Sequence, residues 1–117
     1  FGLNDAGGSF PFRRWAESLF ESFWGSSDAV RSRPGVYDST ITGPEGKRVQ
    51  VIMLDTRFFR SELKRMEWTR ERPPLGGYLP DDSLDKTVLG EVQWAWLEAE
   101  LAKPADLRIV VSSTQVI

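Results

Sequence analysis

A chain of 117 residues with a formal net charge of -2, 40% hydrophobic and 27% charged residues is long enough for one globular core and too balanced to be disordered or fibrous. It contains no Cys and no His, which excludes disulfides, thiolate metal sites, a Ser-His-Asp triad and the usual zinc site. Carboxylates, Arg, Lys, Tyr or a hard metal held by oxygen remain for any chemistry. No apolar run approaches the ~20 residues of a membrane helix, no signal-peptide pattern opens the chain, and the slightly acidic balance gives no reason to expect nucleic acid as the main partner.

The first stretch, FGLNDAGGSF, starts on Phe with no Met. Its Gly, Asn and Asp predict a tight polar loop, of the kind that carries a ligand group or lets backbone approach one. Asn4 and Asp5 are either oxygen ligands for a hard cation or ordinary turn formers. FPFRRWAESLFESFWG then places Phe12, Trp15, Ala16, Leu19, Phe20, Phe23 and Trp24 on one side of a 3.6-residue wheel, with Arg13, Glu17, Ser18 and Glu21 opposite. That predicts an amphipathic helix with Trp15 and Trp24 in the core, Pro11 in its first turn and Gly25 as its stop.

GVYDSTITGPEGKRVQVIMLDTR predicts a hairpin: a strand near 35–41, a Gly-Pro-Glu-Gly turn and a second strand over 48–54. The run Val51, Ile52, Met53, Leu54 implies a strand buried on both faces. The stretch 58–86 breaks into charge, Pro and Gly, which predicts an exposed loop with one helical turn near 61–68. The surplus of Arg and Lys over 57–72, including Arg57, Arg60, Arg70 and Arg72, is either a solvated mixed-charge face or a lure for an anionic substrate. Asp81, Asp82 and Asp85 lack EF-hand spacing and read as a polar lead-in to the next helix.

TVLGEVQWAWLEAELAKPADLRIVVSS predicts a helix with Thr87 at its N-cap, Pro104 beyond its end and a buried strand over 107–111. Apolar residues fall on two sides of that helix: Leu89, Val92, Trp96 and Ala99, then Trp94, Leu97 and Leu101. A helix of that kind packs on two sides, and at least one of Trp94 and Trp96 belongs to the core. Strand, helix and strand in succession imply a parallel pair, so the class is α/β. A chain ending directly after a core strand reads as cut, as does one opening on a Phe-Gly loop.

Polar groups just past the C-terminal ends of parallel strands line the ligand crevice of open α/β sheets. Asp55, Thr56 and Arg57 lie at one such end and Ser112, Ser113 and Gln115 at the other. Asp55 either helps to hold a metal or phosphate, or caps the following turn and pairs with Arg57. The Ser and Gln residues either bind substrate or satisfy loop backbone.

Taken in order, FGLNDAGG, RPGVYDSTITGPEGKRVQVIMLDTRFFRS, LGEVQWAWLEAEL and PADLRIVVSSTQV resemble the PhoD-like alkaline phosphatases, a branch of the calcineurin-like metallophosphoesterases. The resemblance runs nearly end to end. It implies an α/β/β/α sandwich and hydrolysis of phosphate monoesters or diesters by a hydroxide activated between two metals, commonly iron and calcium. It also implies a protein that is commonly exported, and thus an extracytoplasmic location. Asn4 and Asp5 match the tail of the family's metal-site motif. Asp55, Thr56 and Arg57 match its Leu-Asp-Thr-Arg motif at the rim of the site, giving Asp55 an organising role and Arg57 a phosphate or carboxylate contact. Ser112, Ser113 and Gln115 match the strand before its later His-bearing segment, with Ser113 and Gln115 facing substrate.

The family's other ligands, including every His, have no counterpart here. The resemblance therefore implies that residues 1–117 are a central segment of one phosphatase domain, inactive alone and binding no metal securely. The competing expectation is a non-catalytic glycan-binding, anion-binding or structural domain that uses its Trp residues and Arg-rich loop. An exposed row of aromatics favours that second reading. Asp55 and Ser112 meeting on one edge, with a gap beside Asn4, favours the first.

Overall fold

The computed structural model describes residues 3–67 and 77–115. The described elements are helices α1 (Arg13–Trp24) and α2 (Asp28–Arg31), strands β1 (Asp38–Thr42) and β2 (Val49–Met53), helix α3 (Gly90–Leu101) and strand β3 (Leu107–Val111). Together they form a mixed α/β fold on a three-stranded sheet of order β1-β2-β3.

The predicted hairpin is present. β1 and β2 pair antiparallel in a register running from Asp38 opposite Met53 to Thr42 opposite Val49, and Lys47 N–H closes the intervening turn on Pro44 C=O at 3.0 Å. The predicted parallel pair is present as well, with Val49 opposite Leu107 and Met53 opposite Val111. Asp106 sets the start of that pair: its Oδ2 accepts from Arg48 N–H at 2.7 Å, while its own N–H and that of Leu107 donate to Arg48 C=O.

α3 covers one face of the sheet. Ile52, fully buried, packs with Leu89 and Leu97, and Leu54 and Trp96 close around them. Tyr37 lies against Trp96 at 4.6 Å between ring centroids, with the Arg33 guanidinium over both rings. Such a cation over two aromatic faces adds attraction to the packing. Burial lifts the Tyr37 phenol above its usual value, and the Arg33 charge partly offsets that.

Four expectations are corrected. β2 is not buried on both faces: Gln50 and Ile52 point under α3, whereas Met53 on the other side is exposed. β3 occupies its predicted residues but is exposed throughout, at the edge of the described sheet. α3 packs on one side only. Its buried positions are Gln93, Leu97 and Glu100, while Val92, Trp94 and Leu101 face outward and only Trp96 of its two Trp residues joins the core. No helical turn forms over 61–67, where Arg65 instead bridges antiparallel to Tyr78. Trp68, Arg70 and Arg72 of that loop lie outside the described residues.

The largest departure is α1. The helix forms where the periodicity places it and stops at Gly25, whose left-handed φ of 63° suits glycine; Pro11 lies just before its start. Yet its apolar stripe faces outward, with Trp15 and Trp24 each 67% exposed and Phe23 77% exposed, and Glu17 and Glu21 are its buried residues. Polar contacts explain the orientation. Glu17 Oε1 accepts from Gly35 N–H, Glu17 Oε2 pairs with Arg14 at 3.0 Å, and Arg31 at the end of α2 donates to Glu21 C=O at 2.8 Å. Buried carboxylates and carbonyls need such donors, and here they hold the polar side of the helix against the body.

Candidate functional site

The ends of the parallel pair gather the polar residues. Leu54 N–H continues the ladder to Val111 C=O at 2.9 Å, and one residue later the chain leaves the sheet. At that point Gln93 of α3 takes the place of a neighbouring strand. Its Oε1 accepts from Asp55 N–H at 2.8 Å and its Nε2 donates to Asp55 C=O at 2.7 Å. A carboxamide has the donor and acceptor of a peptide group side by side, so it can close both bonds at once.

The Asp55 carboxylate organises the turn that follows. Oδ1 accepts from Arg57 N–H and Phe58 N–H, each at 2.9 Å, and Oδ2 accepts from Val36 N–H at 3.0 Å. This is the capping alternative, extended across to the segment ahead of β1. These backbone donors satisfy the carboxylate where it is 8% exposed. Beside it, Thr56 Oγ1 and Ser113 Oγ lie 2.5 Å apart, one hydroxyl donating to the other, which ties the end of β2 to the end of β3. Ser112 turns instead to its own loop, with Oγ donating to Thr114 C=O at 2.6 Å and accepting from Thr114 N–H. Gln115 is exposed.

Asp55, Thr56, Arg57 and Ser113 line a hollow of about 780 Å³ whose opposite wall is the outward stripe of α1, with Trp15, Leu19, Phe20, Phe23 and Trp24. Of the expected site residues, these four therefore come together. Ser112 is not in that lining, and its neighbour Ser113 is.

Asn4 and Asp5 belong to a different place. Asp5 lines a second hollow of about 410 Å³ with Arg65 and Tyr78. Its carboxylate accepts from Tyr78 O–H at 2.5 Å and from Asn4 Nδ2 at 3.3 Å. That phenol bond to the carboxylate raises the Tyr78 pKa above its usual value. The Gly-rich loop brings backbone to backbone: Gly8 N–H donates to Arg60 C=O at 2.7 Å, and a Cβ on Gly7 would lie 2.6 Å from that same oxygen. Arg60 answers by donating to Asp5 C=O at 2.7 Å.

Among the described residues no group of three His, Cys, Asp or Glu side chains is placed to hold a metal ion. Asn4 and Asp5 offer one amide and one carboxylate that already have partners, too few donors for the six to eight oxygen ligands a calcium ion takes. The described residues do not by themselves supply the ligands of a two-metal centre.

Gln93 and Glu17 are the residues the sequence reading passed over. Gln93 carried a signal, since Leu89, Gln93 and Leu97 repeat at four-residue steps and place a polar residue in an apolar stripe. Glu17 carried none, because a carboxylate on the polar side of an amphipathic helix reads as solvated. Among the described residues no helix is long and apolar enough to cross a membrane. Comparison of the chain with protein-family models, with curated proteins and with solved structures returns no match.

Proposed function

We propose that this chain forms the substrate edge of a metal-dependent phosphatase acting on phosphate monoesters or diesters, of the PhoD-like kind, within an α/β/β/α metallophosphoesterase sandwich and outside the cytoplasm. The observation that carries the reading is the meeting of Asp55, Thr56, Arg57 and Ser113 beyond the C-terminal ends of β2 and β3, where open α/β sheets collect their ligands. The Thr56–Ser113 pair keeps one hydroxyl proton to offer a phosphoryl oxygen, Arg57 adds a cationic side chain beside it, and Asp55 with Gln93 holds the turn that presents them. The described residues bind and orient the ester and do not themselves assemble the metals.

The test uses the protein as its gene produces it, supplied with iron and calcium and assayed on p-nitrophenyl phosphate and bis(p-nitrophenyl) phosphate. Turnover of either is expected, with Arg57→Gln and the pair Thr56→Val, Ser113→Ala each lowering kcat/KM on the order of a hundredfold. Absence of turnover on both esters with both metals present sinks the reading.

A non-catalytic binding domain is favoured by a different observation, the row of exposed rings along α1. Titration with neutral and polyanionic oligosaccharides, followed by Trp fluorescence, separates the two. Saturable quenching by a sugar without ester turnover selects the binding domain, and turnover without quenching selects the phosphatase.

A further inference from the structure

β3 is the outer strand of the described sheet, and its ladder to β2 fixes which of its backbone groups are left over. Leu107 N–H donates to Arg48 C=O at one end, and Val111 C=O accepts from Leu54 N–H at the other. Successive residues of a strand turn their backbone groups to opposite sides. Leu107, Ile109 and Val111 therefore turn theirs to β2, and Arg108 and Val110 turn theirs away from it. Two N–H and two C=O groups stand on the open edge with no partner among the described residues.

Native sheets blunt an unused edge with Pro, Lys, a bulge or a covering segment. Among the described residues β3 has none of these. Its register to β2 runs unbroken and all five of its residues are exposed. Its one charge is turned back on the body, with Arg108 Nε donating to Gln50 Oε1 at 2.9 Å and Nη2 donating to Lys103 C=O. The opposite edge is polar instead, since β1 reads Asp-Ser-Thr-Ile-Thr.

We infer that β3 is a pairing surface for β3 of a second copy of this chain, antiparallel about a two-fold axis at Ile109, which joins two three-stranded sheets into one. In that register Arg108 of each copy lies opposite Val110 of the other. Both pairs exchange two backbone bonds, so none of the edge groups of Arg108 and Val110 stays open. Ile109 meets Ile109 and Leu107 meets Val111 on the face away from α3, so apolar side chains oppose apolar ones. Charge selects the same register. A pairing centred on Arg108 sets two guanidinium groups against each other, whereas this one sets each against a valine. Both copies present the same patch, as a closed two-fold contact requires. The inference goes beyond the phosphatase reading and draws nothing from it.

This chain has no Cys, so a single introduced thiol reports the register. Ile109→Cys places two thiols opposite each other at a non-hydrogen-bonded pair, where a Cα spacing of about 4.5 Å suits a disulfide. It is expected to oxidise to a covalent dimer at least about tenfold faster than Leu107→Cys, whose counterpart across the axis is Val111. A five-residue edge makes a small interface, so sedimentation equilibrium up to about 1 mM protein reads the association itself. Val110→Pro removes one outward N–H and keeps the bonds to β2, and it should raise Kd at least about tenfold. Thr40→Lys, exposed on β1, should leave Kd unchanged. A monomer at every concentration overturns the inference, as does equal oxidation of the two Cys variants. A dimer that survives Val110→Pro, or that Phe23→Ser on α1 dissolves, overturns it as well.

Discussion

At the ends of β2 and β3 polar groups lie inside and are satisfied there, whereas along α1 apolar groups lie outside and polar ones within. The first region is closed by short bonds: Gln93 to the Asp55 backbone, Asp55 to three backbone N–H groups, Thr56 to Ser113. The second is fixed by its polar side alone, through Glu17 and the Glu21 carbonyl. Burying a carboxylate or amide is tolerable only with partners in place, and exposing rings forgoes their contribution to the core. The strand ends are therefore where stability and geometry are concentrated, and the α1 face is exposed apolar surface.

Substitution breaks this comparison most sharply at its extremes. Ile52→Ala, at a fully buried position, is expected to lower the free energy of unfolding by about 2–5 kcal/mol, whereas Phe23→Ala, 77% exposed on α1, should change it by no more than about 0.5 kcal/mol. Urea denaturation of both variants checks this, and a large loss from Phe23→Ala would show that the α1 stripe is buried in solution. Gln93→Leu keeps the apolar contacts of α3 but leaves Asp55 N–H and C=O unpaired. It should cost about 2–4 kcal/mol, and Asp55→Asn in the same background should cost less than it does alone, since the two residues hold one turn.

Thr56→Val removes one hydroxyl of the pair joining the strand ends, with an expected loss of about 1 kcal/mol in urea denaturation. The smallest effect is one of pH. Lys86 at 2.5 Å and the Ser83 hydroxyl hold the Asp81 carboxyl well below its ordinary value of 3.8. A depressed folded value means that the unfolded chain binds more protons in acid. The contribution is thus complete above the ordinary value and lost as pH falls toward the folded one. An NMR titration of the Asp81 carboxyl carbon in acid reads it directly, and Lys86→Met should raise the midpoint toward the ordinary value while Ser83 keeps it somewhat below.

The elements were legible because each carried a period or a punctuation mark. Gly25 stops α1, the Gly43 to Gly46 turn closes the hairpin, and the run 107–111 forms the strand it suggests. The direction each element faces was less legible, because a wheel or an alternation reports that two sides differ and leaves open which side turns inward. For α1 the choice depends on Gly35 N–H, eighteen residues away in sequence, and for β3 on its place at the edge of the sheet. The candidate site was half legible: the position of Asp55, Thr56 and Ser113 at strand ends follows from topology. The use of Gln93 in place of a strand depends on α3 docking at one register, which no local pattern encodes.

That use of Gln93 has a consequence for how the fold opens. Leu54 N–H is bonded to Val111 C=O, and the next amide, Asp55 N–H, is bonded to a side chain of α3. Adjacent amides along one chain thus exchange with solvent deuterium by two different openings, the first when β3 peels from β2 and the second when α3 lifts from the sheet. The ratio of their exchange rates measures which of these excursions is the easier, and so whether the turn that carries Asp55 travels with the helix or with the strands.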